Sequence, residues 1–212
     1  SFLYSAITAG ALSNIQRLSP TIDASLGVGM VGGVKQILLI CAVVALVGGC
    51  ASTPKVVPNS PEVETAIEAA IRKAAKKPTG ELTQADLKRV TRLNLGVYNL
   101  NDVEVLEKLT NLKWLTLGVN KLTDVKGLEK LTQLEVLYLD GNQLTDVKGL
   151  ENLTQLEKLS LYNNQLTDVK GLEKLTQLKA LNLKDNPDLT KAQIDELQKA
   201  LPNCKIFSNP TK

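Results

Sequence analysis

Residues 112–133 read LKWLTLGVNKLTDVKGLEKLTQ, and two further blocks, 134–155 and 156–177, repeat this stretch with few changes. Each block opens with the pattern L-x-x-L-x-L-x-x-N-x-L, and the period is 22 residues. A further copy starts at Leu178, and a degenerate first copy starts at Val90, with Tyr98 in place of the asparagine. Self-similarity at a fixed period of this length predicts a stack of repeats, because one such unit cannot bury its apolar face alone.

The leucines of each repeat alternate with variable residues, as in Trp114-Leu115-Thr116-Leu117. Such alternation predicts a short strand with its leucines turned inward, and strands of successive repeats then pair in parallel about 4.8 Å apart. The pattern is that of leucine-rich repeats. We therefore expect an α/β leucine-rich-repeat solenoid, with parallel β-strands on the concave face, short helical turns on the convex face, and a helical N-cap and C-cap.

The asparagine of the pattern recurs at one position of each repeat and predicts a structural ladder. Stacked amides can satisfy the backbone groups of the turn that leaves each strand, which would otherwise be buried and unpaired. The ladder residues are Asn120, Asn142, Asn164 and Asn186.

The second half of each repeat, LTDVKGLEKLT, is nearly constant and brings four aspartates into one column: Asp102, Asp124, Asp146 and Asp168. A column of carboxylates could bind calcium, which prefers oxygen ligands. The simpler interpretation is that each aspartate caps the helical turn that follows, with the lysine two residues later easing the repulsion. We therefore predict no metal site.

The ends of the repeats carry capping signals. Ser60-Pro61 predicts the start of a helix, Thr83 predicts a second short helix, and Thr190-x-x-Gln193 forms a capping box. Cys204 and Ile206 predict a final short strand with a buried cysteine. The expected division is a helical N-terminal cap at 61–89, about five repeats at 90–189, and a C-terminal cap at 190–212.

An apolar run at 37–47 follows Lys35 and is itself followed by small residues. It is too short for a membrane-spanning helix and is typical of a secretory signal. Val47-Gly48-Gly49-Cys50 resembles the lipobox of bacterial lipoproteins, in which the cysteine carries a diacylglycerol. The resemblance implies a signal peptide at 30–49, lipidation of Cys50, and a tether at 50–60. The alternative is a short uncleaved anchor with a chance cysteine.

Residues 1–29 precede Met30, the only methionine. We expect translation to begin at Met30 and residues 1–29 to be absent from the mature protein, with a genuine extension as the alternative. The stretch 27–32 matches G-x-G-x-x-G, but it lacks the strand before it and the helix after it that a dinucleotide site requires.

Composition excludes several function classes. The 212 residues include no histidine and three cysteines, so no histidine-based triad or zinc site can form. The 25 basic and 22 acidic residues nearly balance, which does not favour nucleic-acid binding. With no phosphate-binding loop and no reactive-cysteine context either, we expect a protein that is not an enzyme and needs no cofactor or small-molecule substrate.

The repeats differ from one another mainly at the exposed strand positions. Trp114, Tyr138 and Tyr162 fall on successive repeats, and each lies two positions later in its repeat than the one before. The three side chains therefore trace a diagonal across the predicted strands. Exposed Trp and Tyr suit a binding surface, although their β-propensity offers an alternative explanation. The predicted protein-binding residues are Arg92, Trp114, Val136, Tyr138, Asp140, Lys158, Tyr162 and Lys184.

Over residues 61–207, the repeats resemble those of internalin-type bacterial surface proteins, and similar 22-residue repeats occur in a eukaryotic phosphatase regulatory subunit. The resemblance implies a binding scaffold. We expect a lipid-anchored protein of the bacterial cell envelope, in the outer membrane if the host has one, that binds a protein or peptide through its concave face. The alternative is a structural or regulatory envelope protein without a discrete partner on that face.

Overall fold

The computed structural model describes residues 57–209, and six short parallel strands form one sheet in chain order. The strands are β1 (Arg92–Asn94), β2 (Trp114–Thr116), β3 (Val136–Tyr138), β4 (Lys158–Ser160), β5 (Ala180–Asn182) and β6 (Lys205–Phe207). From β1 to β5 each residue pairs with its equivalent 22 residues later, as Leu115 does with Leu137. The predicted leucine-rich-repeat solenoid is confirmed.

Four short 3-10 helices lie on the other side of the repeats, one in each connection between successive strands from β1 to β5. They span Glu104–Lys108, Leu128–Lys130, Leu150–Asn152 and Leu172–Lys174. Leucines from the strands and from the 3-10 helices meet in a single buried core. Because consecutive repeats contribute the same leucines, each repeat buries its neighbour's apolar edge, which one repeat alone could not do.

The four ladder asparagines are buried, and each bonds to two successive repeats. The Asn142 amide donates to Leu117 O at 3.0 Å and to Leu139 O at 2.9 Å, and its carbonyl accepts from Leu122 N at 3.1 Å. Asn120, Asn164 and Asn186 make the equivalent bonds in their own repeats. The amides thus satisfy buried backbone groups that the turns leave without partners.

The predicted helix-capping role holds for Asp102, which accepts from the N–H of Glu104 at the start of its 3-10 helix, but it is wrong for the other three aspartates of the column. Asp124 accepts a hydrogen bond from Lys126 N, which closes a turn ahead of the 3-10 helix rather than capping the helix itself. The helix instead begins after Gly127, whose N–H donates to the Glu129 carboxylate at 2.6 Å. Gly127 has φ 94°, and a Cβ there would lie 2.7 Å from Glu104 Cα, so only glycine fits.

Helices cover both ends of the repeats. At the N-terminal end, α1 (Pro61–Ala75) has Ser60 as its N-cap. It is followed by α2 (Gln84–Leu87), whose first turn is closed by a capping box of Thr83 and Asp86. At the C-terminal end, α3 (Lys191–Ala200) begins at the capping box of Thr190 and Gln193. These three helix starts lie where the sequence predicts them, because each is specified by a local capping motif.

The chain is fixed to the first repeat from Asn59 onward. The Asn59 side chain donates to Asp102 O and accepts from Asn101 N, both at 2.8 Å. The predicted start of translation, the signal peptide, Cys50 and most of the tether lie outside the described residues. Within residues 57–209, no helix combines the length and the apolar character needed to cross a membrane.

Candidate functional site

The outward side chains of the six strands form one surface, which we call the strand face. The register places them in two columns, and both contain the residues that the sequence predicts for them. The first column holds Arg92, Trp114, Val136, Lys158, Ala180 and Lys205. The second column holds Asn94, Thr116, Tyr138, Ser160, Asn182 and Phe207. The side chains that vary between repeats therefore share one surface, while the constant leucines lie beneath it.

Three side chains from successive strands form an aromatic cluster, which we define as Arg92, Trp114 and Tyr138. The Arg92 guanidinium lies 4.9 Å from the centroid of the Trp114 ring system. The Trp114 and Tyr138 centroids are 6.1 Å apart, and their planes meet at 68°, an edge-to-face arrangement. Both contacts favour a fixed orientation of the rings, so the cluster is preformed, with Trp114 and Tyr138 half-buried and the charged Arg92 exposed.

Tyr162, the third ring of the predicted diagonal, lies apart from this cluster. It follows β4 rather than belonging to it, and its side chain is 40% exposed. Its hydroxyl hydrogen-bonds to Asp185 on the next repeat, and that bond raises the pKa of Tyr162 above its ordinary value. The structure therefore brings two of the three predicted rings into contact and gives the third a partner of its own.

Asp140 lies at the end of β3 and makes its hydrogen bonds within the chain. Its carboxylate accepts from the Ser160 hydroxyl and from Tyr162 N, the latter at 3.2 Å. These bonds join the ends of β3 and β4, which gives Asp140 a role in the scaffold. The other predicted residues, Val136, Lys158 and Lys184, lie on the strand face or directly beside it.

A shallow depression of about 290 Å³ opens in the strand face toward its C-terminal end. Tyr138 and Phe207 stand on opposite sides of it, and Ser160 and Asn182 lie between them in the same column. Lys158 and Lys184 also line it. The depression exists because Ser160 on β4 and Asn182 on β5 are shorter than the rings that β3 and β6 carry in the same column.

Phe207 lines the depression and Lys205 lies beside it, yet both are missing from the residues predicted by repeat comparison. They lie on β6, where the spacing to the preceding strand is no longer 22 residues, since Ala180 pairs with Lys205. The Lys205 ammonium lies 4.9 Å from the centroid of the Phe207 ring. A signal was present, because buried Cys204 and half-buried Ile206 imply that the residues alternating with them face outward.

Two potential nucleophiles lie at or near the strand face: Ser160 on β4 and Cys204 just before β6. Ser160 bonds to Asp140, but the sequence contains no histidine that could serve as a general base beside them. Cys204 is buried, and burial raises the pKa of its thiol above the ordinary value, which disfavours the reactive thiolate. Among residues 57–209, no group of three or more potential ligand side chains is placed to hold a metal ion.

Comparisons with known proteins agree with this architecture. A family model described as leucine rich repeats (2 copies) matches residues 110–152 and 154–203. The crystal structure of an internalin, inlF, from Listeria monocytogenes str. 4b F2365 is 27% identical with a TM-score of 0.62, covering 76% of this chain and 49% of that one.

A second internalin structure gives a similar result. Internalin C2 (inlC2) from the same strain is 27% identical with a TM-score of 0.63, covering 77% of this chain and 74% of that one. This chain thus spans about half the length of the inlF structure and about three quarters of the inlC2 structure. No curated protein matches the sequence.

Proposed function

Since the chain is a leucine-rich-repeat protein of the internalin type, we propose that it binds another protein or a peptide through its strand face. The observation that carries the proposal is the placement of variation. Trp114, Val136 and Lys158 occupy one column of paired strands, while the leucines between them are constant. Positions on this face can vary at little cost to the scaffold, so a partner is favoured by the kinds of residue found there, above all Trp114 and Tyr138.

The aromatic cluster supplies the chemistry that such a surface needs. Trp, Tyr and Arg dominate the residues that contribute most to protein interfaces, and here all three lie side by side on β1, β2 and β3. Because their mutual contacts already hold these side chains, less conformational entropy is lost when a partner covers them. Binding, rather than catalysis, is therefore the proposed activity.

We further propose that Cys50 carries a lipid that anchors the protein in a bacterial cell envelope. The lipobox-like Val47-Gly48-Gly49-Cys50 supports this, together with the attachment of Asn59 to the first repeat. Nine residue steps separate Cys50 from Asn59, so the chain between them can reach on the order of 30 Å. Mass spectrometry of the mature N-terminus tests the anchor, and an intact peptide joining Gly49 to Cys50 would contradict it.

Site-specific photo-cross-linking tests the binding proposal in the native envelope. A photoreactive amino acid replaces Tyr138 on the strand face or, as the matched control, Lys148, an exposed residue of the turn that precedes a 3-10 helix. The proposal predicts one recurrent cross-linked protein from position 138 and not from position 148. Cross-links of equal yield from both positions, or none from position 138, would instead favour a structural role without a discrete partner on the strand face.

A further inference from the structure

Three lysines lie in or beside the depression: Lys158 and Lys184 line it, and Lys205 lies beside it, over the Phe207 ring. Lys158, Lys184 and Lys205 form no salt bridge among residues 57–209, whereas Lys126, Lys148 and Lys170 of the repeat turns each pair with an acidic residue. The cations beside the depression are therefore available to an outside anion.

The acidic residues closest to these lysines are already occupied. Asp140 accepts hydrogen bonds from Ser160 and Tyr162. Asp185 bonds to the amide of Asn209 at 2.7 Å and to the Tyr162 hydroxyl, and these bonds lower the pKa of Asp185. Their donors are neutral, so both carboxylates keep their negative charge and offset part of the charge of the three lysines, which leaves a net positive charge at this end of the strand face.

The spacing of the side chains defines the size of the occupant. Lys158 and Lys205 lie in the same column with Ala180 between them, so their backbones are about 9.6 Å apart. Tyr138 and Phe207 lie three strands apart in the other column, about 14 Å. An extended chain rises about 3.4 Å per residue, so roughly four residues reach from one ring to the other.

We propose that the depression between Tyr138 and Phe207 receives a short, extended, acidic segment of a protein partner. Its carboxylates face Lys158, Lys184 and Lys205, and an apolar side chain enters between the two rings. The inference rests on the proposed function and adds the chemistry of the partner. The bound segment must supply anions, because covering the ammonium groups removes water from them. Without a carboxylate nearby, nothing would compensate for that lost hydration.

The same observations favour a peptide over a nucleic acid or another polyanion. A polyanion needs a continuous track of cations, but the lysines here occupy one end of the strand face, and the chain as a whole carries 25 basic and 22 acidic residues. Two rings with the shorter Ser160 and Asn182 between them instead suit a single apolar side chain flanked by charge.

The test measures fluorescence anisotropy of labelled synthetic peptides titrated with the full-length chain. The probe is a six-residue peptide with a central Phe between Asp and Glu residues. The comparison probes are its Asn/Gln counterpart, a counterpart with Gly in place of Phe, a single-stranded oligonucleotide and a heparin fragment. The proposal predicts that the acidic Phe peptide binds most tightly of the five.

Matched variants locate the binding. The K158Q/K184Q/K205Q variant is expected to bind the acidic peptide about tenfold or more weakly than the parent, and the Phe207→Ala variant about fivefold more weakly. K126Q/K148Q/K170Q removes the same charge from the repeat turns and is expected to change the affinity less than about twofold. Circular dichroism confirms folding, and the three single Lys→Gln variants replace the triple variant if it does not fold.

The remaining outcomes separate this inference from the proposed function. If the neutral and acidic peptides bind equally well, and both lose binding to the W114A/Y138A variant, the proposal of an acidic partner is overturned. Binding through the strand face would still hold. If the oligonucleotide or heparin binds more tightly than the acidic Phe peptide, the proposal of an acidic protein segment is overturned in favour of a polyanion. Failure of every probe, or equal losses in both triple variants, would overturn the assignment of this depression, while the cross-linking experiment still decides the proposed function.

Discussion

Trp114 and Tyr138 lie diagonally on neighbouring strands, with ring centroids 6.1 Å apart and planes at 68°. The two residues are 24 positions apart in the sequence, two more than the repeat, so the second ring sits one column over from the first. This offset lets the edge of one ring meet the face of the other, which direct stacking in a single column would not. The variable positions of separate repeats thereby form one surface.

A double-mutant cycle measures this contact. We expect Trp114→Ala and Tyr138→Ala to show a coupling of about 0.5–1.5 kcal/mol in the free energy of urea unfolding, typical of an edge-to-face pair. Trp114 and Tyr162 are the control pair, and we expect their coupling to stay within about 0.5 kcal/mol. Equal coupling in both pairs would mean that the two rings of the cluster do not interact specifically.

The ladder predicts a large cost for losing one amide. Asn142→Ala leaves the buried N–H of Leu122 without a partner and removes one of the two amide donors to Leu117 O and to Leu139 O, at a cost of about 3 kcal/mol in urea unfolding. Asn152→Ala, at an exposed position of a 3-10 helix, should change stability by less than about 0.5 kcal/mol. Similar losses in the two variants would exclude the ladder as a stabilising feature.

Val119 is held in an unfavourable backbone conformation. Its φ is 56°, in the left-handed region that β-branched residues disfavour, whereas the equivalent positions of later repeats carry Gly141, Asn163 and Asp185. Val119→Asn should therefore raise the free energy of unfolding by about 1 kcal/mol, and Gly141→Val should lower it by a similar amount. Thermal unfolding of both variants checks this, and a loss of stability in Val119→Asn would refute the strain.

Acid stability should depend on Asp86. Hydrogen bonds from the Thr83 hydroxyl and N–H, and then the charges of Lys77 and Arg89, lower the pKa of Asp86 below its ordinary value. The stability it contributes is therefore complete above the unfolded pKa of about 3.9 and is lost as the pH falls through the lower folded pKa.

The stability difference between the parent and Asp86→Asn should thus be largest near neutral pH and shrink below about pH 4. Urea unfolding at a series of pH values measures it. A difference that does not vary with pH would show that the carboxylate charge is not what stabilises the N-terminal cap.

The sequence predicts the scaffold well, because every repeat encodes it independently. The leucine spacing gives the strand register, and the capping motifs give the helix starts. The predicted capping role is wrong for three of the four aspartates because a side chain so close to a turn can bond to the turn or to the helix, and spacing does not distinguish the two. The left-handed conformation at Val119 can be inferred from the sequence only because the next repeat has Gly141 at the equivalent position. Valine by itself would predict a negative φ.

The site is less predictable than the scaffold, because it depends on which neighbours each side chain finds. Comparing repeats locates the columns of the strand face but not the bonds of Asp140 and Tyr162, which join adjacent repeats. It also misses Phe207, which lies past the last repeat, where the 22-residue spacing ends. Repeat comparison therefore finds the surface, and the structure identifies the depression within it.

The affinity of the cross-linked partner for the W114A/Y138A variant tests the central claim of strand-face binding most directly. We expect binding to weaken by about 2 kcal/mol or more, roughly thirtyfold, since both rings lie at the proposed interface. Lys148→Ala, on the repeat turns, is expected to bind as the parent does. A folded W114A/Y138A variant with undiminished affinity, measured by isothermal titration calorimetry, would contradict the claim and move the interface away from the strand face.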